Sequence, residues 1–398
     1  MTSVIRVGIA GLGAAGRAFI APLKKHVAFE WVAMADPDAA VRDAAKREDC
    51  VAVYEGFDAL LAHPGLDAIC IATPTPLHAA QACAAAAAGL HVLLEKPMAL
   101  DLAGAYAVVA AAEKHGVALV VGHSHSFDAP MRAMRELIQS GELGAVRMAQ
   151  HWCFSDWMRR PRRADELDSA QGGGVTLRQG SHQFDVLRLL CGGRAKSVRA
   201  RVFDWDAARR GVGAHSVWID FEGGASATAV YNGYGGFSTK DLCFDISEWG
   251  QRQPPGHGSK PLAPTLNAAQ ELQAKQARAR GAIPDAAPHQ PFFGLALVSC
   301  ERGDIRQSPQ GLLVFDAAVQ REIVLPTEQS PRDLVLDEWQ AAISGTAEPL
   351  HSGRWGLANL ELCLAALESS RIGRELTLHH QVAVHDGLKS GCFPRGLP

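Results

Sequence analysis

Short, nearly continuous apolar runs recur through the first third of the chain, separated by stretches with helical periodicity. The runs at 4–10, 29–35, 68–71, 91–94 and 118–122 predict strands, and those at 17–25, 38–49, 77–88 and 102–115 predict the intervening helices. Repeated strand–helix units imply a parallel sheet with helices on both faces, hence an α/β fold. From residue 146 the periodicity turns to strands, at 146–154, 198–205, 216–221, 225–231 and 241–247, interrupted by a helix at 182–191. The segment 254–291 breaks that pattern, being rich in Pro, Ala and Gln. It reads as an excursion with a short helix at 267–280, either a mobile flap or an arm gripping a neighbouring subunit. Strands resume near 311–315 and 321–325, and helices at 332–344 and 354–372 are expected to return toward the first domain.

Composition narrows the class. The 398 residues suffice for two domains with real cores. A net charge of −3 suggests neither nucleic acid nor a membrane surface as a partner. The apolar stretches are too short to span a membrane, and the N-terminus enters a strand without a secretory signal pattern. Nine cysteines stand singly with no Cys-x-x-Cys pair, which predicts reduced thiols and a cytoplasmic location, with no zinc site.

Candidate chemistry begins at Gly11-Leu12-Gly13-Ala14-Ala15-Gly16, between the first strand and the first helix. In that setting the glycines allow a tight turn, close approach to a pyrophosphate and close helix–strand packing. Asp36 ends the second strand about 20 residues further on, where a carboxylate accepts from ribose hydroxyls and repels a 2′-phosphate. This predicts NAD rather than NADP. A helix-capping role for Asp36 is the alternative, although Asp38 serves that role better. Ligands of such sheets bind beyond the carboxyl ends of the strands, which sets Thr73-Pro74, Glu95-Lys96-Pro97 and the loop of His123 and His125 along one rim. A lysine drawn out of water there exchanges protons nearer neutrality, so Lys96 is a candidate proton acceptor. His123 and His125 are candidates to line the pocket. Without a further ligand cluster nearby they predict no metal.

Taken together, Gly11 to Gly16, Ala72-Thr73-Pro74 with His78, Glu95-Lys96-Pro97, and Gly172-Gly173-Gly174 leading to His182 and Asp185 resemble the glucose-fructose oxidoreductase and inositol 2-dehydrogenase (Gfo/Idh/MocA) family. The resemblance implies an N-terminal Rossmann domain (1–124), then an α/β domain with a large open, mostly antiparallel sheet (125–378), and a tail (379–398) of no clear function. It also implies cofactor contacts along Gly11 to Gly16, Asp36, Thr73, Pro74, His78 and Glu95 to Pro97, with Lys96 and His182 flanking the substrate. An open sheet with one bare face further predicts a homodimer or homotetramer.

One departure bears on the substrate. The family commonly has an aspartate four residues before the histidine, and here that position is Arg178. A cation there favours an anionic substrate over a neutral sugar. Arg159, Arg160, Arg162 and Arg163, beside Trp157, strengthen this, because guanidinium groups bind carboxylates through paired hydrogen bonds. A solvated loop, or an interface arm paired with Asp165, Glu166 and Asp168, is the alternative. The runs 121–128, 160–168, 170–174 and 299–309 are similar to bacterial phthalate dihydrodiol dehydrogenases. That similarity implies NAD-dependent oxidation of cis-4,5-dihydroxycyclohexadiene-1,2-dicarboxylate to 4,5-dihydroxyphthalate. Rival expectations are a dehydrogenase of another cyclic polyol or sugar acid, an NAD-dependent glycosidase of the same superfamily, and a non-enzymatic nucleotide sensor.

Overall fold

Six strands form the first sheet: β1 Ile5–Ala10, β2 Phe29–Ala35, β3 Ala52–Tyr54, β4 Ala68–Ile71, β5 His91–Glu95 and β6 Leu119–Gly122. Their order is β3-β2-β1-β4-β5-β6 and every pairing is parallel. Strands β4 and β6 are buried along their whole length, which is why they appear in the chain as unbroken apolar runs. This computed structural model describes residues 4–122, 124–253, 266–279, 287–317 and 319–385. The chain divides into two compact units, the first holding the six-stranded sheet together with Arg332–Leu360.

Within the first unit the returning segment is fastened to the sheet. Trp339, fully buried on the helix Pro331–Ile343, stacks on Phe29 of β2 at 5.2 Å between ring centroids. The Val121 N–H of β6 donates to the His351 carbonyl at 2.8 Å. Arg332 lies over the Phe19 ring and sits 3.5 Å from the Glu95 carboxylate.

The second unit is built on nine strands: β7 Val146–Phe154, β8 Ala195–Phe203, β9 Ala214–Phe221, β10 Ser226–Asn232, β11 Leu295–Cys300, β12 Gly303–Gln307, β13 Gly311–Asp316, β14 Gln320–Val324 and β15 Leu376–Thr377. The order is β14-β13-β12-β11-β7-β10-β9-β8-β15, antiparallel throughout except for the β7–β10 pair. The sheet has an inner and an outer face. Ala149, His151 and Cys153 of β7 and Ala227, Ala229 and Tyr231 of β10 are buried, and the helix Ser181–Leu190 packs on those two strands. Met148, Trp152 and Trp218 are exposed. This alternation is what a sheet covered on one side requires.

Three differences from the sequence reading have local causes. The strand expected at 241–247 does not form: Thr239–Leu242 is a 3₁₀ turn, and Phe244 and Asp245 have φ of 58° and 60°. Left-handed residues end extended pairing. The helix expected over 17–25 is two short helices, Ala14–Arg17 and Ile20–Lys25. Strands β11 and β12 escaped the periodicity because they fall among the Gly- and Pro-bearing residues around the predicted excursion. Of that excursion, the helix Ala268–Ala279 is described, whereas 254–265 and 280–286 lie outside the described residues. Among the described residues no helix is long and apolar enough to cross a membrane.

Candidate active site

The loop after β1 is shaped for close approach. Gly11 has φ of +87°, and a Cβ on it would lie 2.7 Å from the Ala72 carbonyl oxygen. A Cβ on Gly16 would meet the Gly11 carbonyl oxygen at 2.0 Å, so the helix start can lie against the turn only as glycine. Gly13, by contrast, has nothing within 4 Å of a Cβ position, leaving room for a group that approaches the backbone. The Asp36 carboxylate secures this loop, accepting from the Leu12 N–H at 2.8 Å and from the Asp38 N–H at 2.9 Å. Asp38 in turn accepts from the Ala40 N–H and caps the next helix. A carboxylate has about four acceptor sites, so Asp36 retains capacity for a hydroxyl ligand. Open space at Gly13, a cradle closed by Gly11 and Gly16, and an acceptor at the end of β2 together fit a dinucleotide.

Further along the same sheet, His78 bridges the loops after β4 and β5. Its Nε2 lies 2.8 Å from the Thr73 carbonyl oxygen and its Nδ1 lies 2.8 Å from that of Pro97. Carbonyls only accept, so whichever ring nitrogen is protonated donates to one of these loops. Thr73 donates its hydroxyl to Gln81 at 2.6 Å. Pro74 is the N-cap residue of the helix Thr75–Ala87, which carries His78. The Lys96–Pro97 peptide is cis. Glu95 is buried and paired with Arg332, while Lys96 is half-buried at the strand end.

In the second unit, His182 opens the helix Ser181–Leu190, directly after a π-helical turn, Thr176–Gly180, that carries Arg178. Such turns often mark functional positions. The helix start is tied to the sheet by a buried polar chain. Thr176 Oγ1 lies 3.1 Å from His215 Nδ1, His215 Nε2 lies 2.9 Å from Gln183 Oε1, and Gln183 Nε2 lies 3.0 Å from His151 Nδ1. Gln183 Nε2 also donates to the carbonyls of His151 and Val230. Burial pushes both His151 and His215 down to about 3, so both are neutral at working pH. His182 itself is buried beside His125 and Phe293. His125 sits between two carboxylates, Asp128 at 3.1 Å and Glu248 at 3.4 Å. Burial opposes the charged ring, but the two acids outweigh it and raise His125 to about 9. His123 lies outside the described residues.

The arginine run is folded around its own acids. Arg160 donates to Asp156 at 2.6 Å, and Arg163 makes two bonds to Asp165, both 2.8 Å. Arg159 ends the short turn Trp157–Arg159 and is half-buried. Trp157, 1 % exposed, belongs to the core with Cys153, Val175, Tyr231 and Phe293, and the Arg162 guanidinium lies over its ring at 4.1 Å. Arg178 is 3.4 Å from Glu166. Glu166 is 2 % exposed and is also reached by Arg162 at 3.9 Å and by Lys275. Burial penalises that carboxylate, yet Lys275, Arg178 and Arg162 hold it down to about 2. The glycine triad explains how the Glu166 turn lies so close: a Cβ on Gly173 would be 2.4 Å from the Asp165 carbonyl oxygen.

Sequence reasoning named the arginines, the two histidines and, as an acid that could pair with the arginines, Glu166, but missed Lys275, Glu248 and Gln183. Glu166 left one signal, its place four residues after Arg162. Lys275 left none, since 109 residues separate it from Glu166. Among the described residues no three His, Cys, Asp or Glu side chains group as a metal site.

Comparison with known proteins gives these features a family. Residues 5–123 match the oxidoreductase family with an NAD-binding Rossmann fold, and residues 131–244 match the GFO/IDH/MocA C-terminal domain. The chain is 36 % identical to 1-carboxy-3-chloro-3,4-dihydroxycyclohexa-1,5-diene dehydrogenase of Comamonas testosteroni, over 92 % of this chain and 95 % of that one. A putative dehydrogenase from Bordetella bronchiseptica RB50 superposes with a TM-score of 0.88 at 35 % identity, covering 94 % of this chain and 100 % of that one. The fold is shared more distantly with the WlbA dehydrogenase of Bordetella pertussis, solved with NADH and UDP-GlcNAcA (TM-score 0.70, 21 % identity, 95 % of this chain and 98 % of that one). The glycine cradle, the Glu-Lys-Pro strand end and the His182 helix thus belong to an oxidoreductase of the Gfo/Idh/MocA family.

Proposed function

We propose that the chain oxidises a carboxylated cis-dihydrodiol, namely cis-4,5-dihydroxycyclohexadiene-1,2-dicarboxylate, to the corresponding catechol, 4,5-dihydroxyphthalate. The observation that carries this reading is Arg178, one turn before His182, held beside Glu166 with Arg162 and Lys275. Those four groups carry more positive than negative charge, which suits a carboxylated substrate. The name of the Comamonas testosteroni relative, a carboxylated dihydroxycyclohexadiene dehydrogenase, supports the same class.

Bound NAD⁺ would supply the hydride acceptor, held by the Gly11 to Gly16 loop and Asp36. Asp36 favours NAD over NADP because a second negative charge on the ribose would face a carboxylate already fixed by two N–H groups. The residues of the chain have two tasks. Lys96 Nζ accepts the hydroxyl proton from the carbon that loses hydride, and His182 orients the diol or shares that proton. The resulting hydroxy-enone tautomerises to a catechol, so aromatisation makes the oxidation strongly downhill. The free cysteines among the described residues suit a reducing cytoplasm.

The test is spectrophotometric. NADH formation is followed with the dihydrodiols of the three phthalates, with the chlorinated monocarboxylated diol and with inositol. Turnover of the 4,5-diol dicarboxylate is the expected result. Turnover of inositol alone would overturn the reading, and redox-neutral hydrolysis of a glycoside would favour the glycosidase instead. We further propose that the chain forms a homodimer or homotetramer through the outer face of the nine-stranded sheet, where Trp152, Met148 and Trp218 are exposed on β7 and β9. Light scattering of the wild type and of Trp152→Glu tests it, with dissociation of the variant expected.

A further inference from the structure

The helix Ala268–Ala279 lies far along the chain from the arginine run, yet it is fastened to it at two points one turn apart. Glu271 accepts from the Arg162 N–H at 2.6 Å and from Arg209 at 2.7 Å. Lys275, four residues later on the same helix face, donates to Glu166. Among the described residues, Asp165 is engaged by Arg163 and Asp156 by Arg160. Glu166 is shared by Arg162, Arg178 and Lys275, and these four groups sum to two positive charges. The carboxylate is buried, whereas the Arg178 and Lys275 side chains keep 22 % and 21 % of their surface open. At two of these groups, nearby like charge adds to the effect of burial. Burial lowers Lys275 to about 8, with Arg163 and Arg178 adding to it against the pull of Glu166. Burial lowers Arg162 to about 9, with Arg160 and Arg178 adding to it.

We infer that Lys275 is a specificity-determining residue: together with Arg178 and Arg162 it forms a carboxylate-binding cluster on a buried Glu166 base, and its ligand is a carboxylate of the substrate. The inference rests on the reading of a carboxylated diol given above. Glu166 gathers the three cations, Glu271 seats the helix that delivers the third, and an arriving carboxylate relieves their mutual repulsion. A second negative charge beside the ammonium also favours its protonated form, so ligand binding draws in protons near pH 8.

The experiment uses the full chain saturated with NADH and phthalate as the probe. Phthalate binding is measured by titration calorimetry for wild type, Lys275→Met and Lys275→Arg, with thermal melts to confirm folding. Turnover of the 4,5-diol dicarboxylate is followed in parallel. The expected result is binding weaker by about tenfold or more in Lys275→Met and restored to within about threefold in Lys275→Arg. In wild type, affinity should fall as pH rises from 7 to 9, and this fall should flatten in Lys275→Arg, whose charge persists. KM should rise in Lys275→Met with kcat little changed. Unchanged phthalate binding and KM in a folded Lys275→Met overturn the inference while leaving the proposed reaction standing. Lys275-dependent phthalate binding without turnover of any dihydrodiol sustains the cluster and overturns the reaction. Absence of phthalate binding by the wild type overturns the cluster outright.

Discussion

The rings of His125 and His182 stand nearly perpendicular, 4.7 Å apart. His125 is stacked on Phe293 at 4.2 Å, and Phe293 also meets the His182 ring at 5.3 Å. A buried, charged imidazole therefore backs the candidate catalytic histidine, its charge held by Asp128 and Glu248. The two rings are in contact, and the charge on His125 is linked to folding through Asp128 and Glu248.

That linkage has a definite sign. His125 rises from 6.5 to about 9 on folding, because Asp128 and Glu248 outweigh the opposing effect of burial. Its stabilisation is fully present below pH 6.5 and is lost as pH rises through about 9. The whole contribution is on the order of 3 kcal/mol. Urea midpoints of the wild type should fall between pH 6.5 and 9, whereas His125→Asn should start lower and stay level across that window. An equal fall in both proteins would assign the pH dependence to other groups.

Lys96→Met removes the candidate proton acceptor while keeping a similar apolar stem at the end of β5. Loss of a general base costs about 10²- to 10⁴-fold in kcat. NADH affinity, read by fluorescence, should stay within about twofold, since the glycine loop and Asp36 lie elsewhere on the sheet edge. Wild-type turnover by the variant would take Lys96 out of the chemistry.

Arg178→Ala tests the substrate end. A charge-assisted hydrogen bond is worth about 1.5–3 kcal/mol, so kcat/KM for the dicarboxylate should fall about ten- to hundredfold. The fall should be much smaller for an uncarboxylated cis-dihydrodiol. Equal losses on both substrates would show that Arg178 serves the fold through Glu166 and not the ligand.

How much of this was legible in the chain depended on the range of the interactions. Strands β1, β2, β4, β5 and β6 could be read because each is buried and apolar almost throughout, and the glycine loop could be read because strand, turn and helix are contiguous. The arginine run was visible as a charge cluster able to pair with Asp165, Glu166 and Asp168, but the sharing of Glu166 among three cations was not. Whether Arg162 pairs with Glu166 depends on Lys275 and on Gly173 allowing the turn to close, which are matters of tertiary approach. The apparent strand at 241–247 failed for the same reason: its composition fits a strand, while Phe244 and Asp245 take left-handed turns. Glu248, which follows that turn, reaches His125 from more than a hundred residues away, beyond any local pattern.

A pair of glycine substitutions separates folding from cofactor binding. Gly173→Ala places a Cβ 2.4 Å from the Asp165 carbonyl oxygen and 2.5 Å from the Glu166 carbonyl carbon, both backbone atoms that cannot rotate away. Overpacking of this kind costs about 1–3 kcal/mol, so its melting temperature should drop clearly. Gly13→Ala meets nothing within 4 Å, and its φ of −68° suits any residue, so its melting temperature without cofactor should match the wild type. If the open space at Gly13 is where a pyrophosphate approaches the backbone, the same methyl group should weaken NADH binding by about tenfold or more. Thermal melts and NADH titrations on both variants give four numbers. The expected pattern is a low melting temperature for Gly173→Ala and weak NADH binding by a normally stable Gly13→Ala. Full NADH affinity in Gly13→Ala would move the pyrophosphate away from this loop, and with it the placement of the nicotinamide near Lys96.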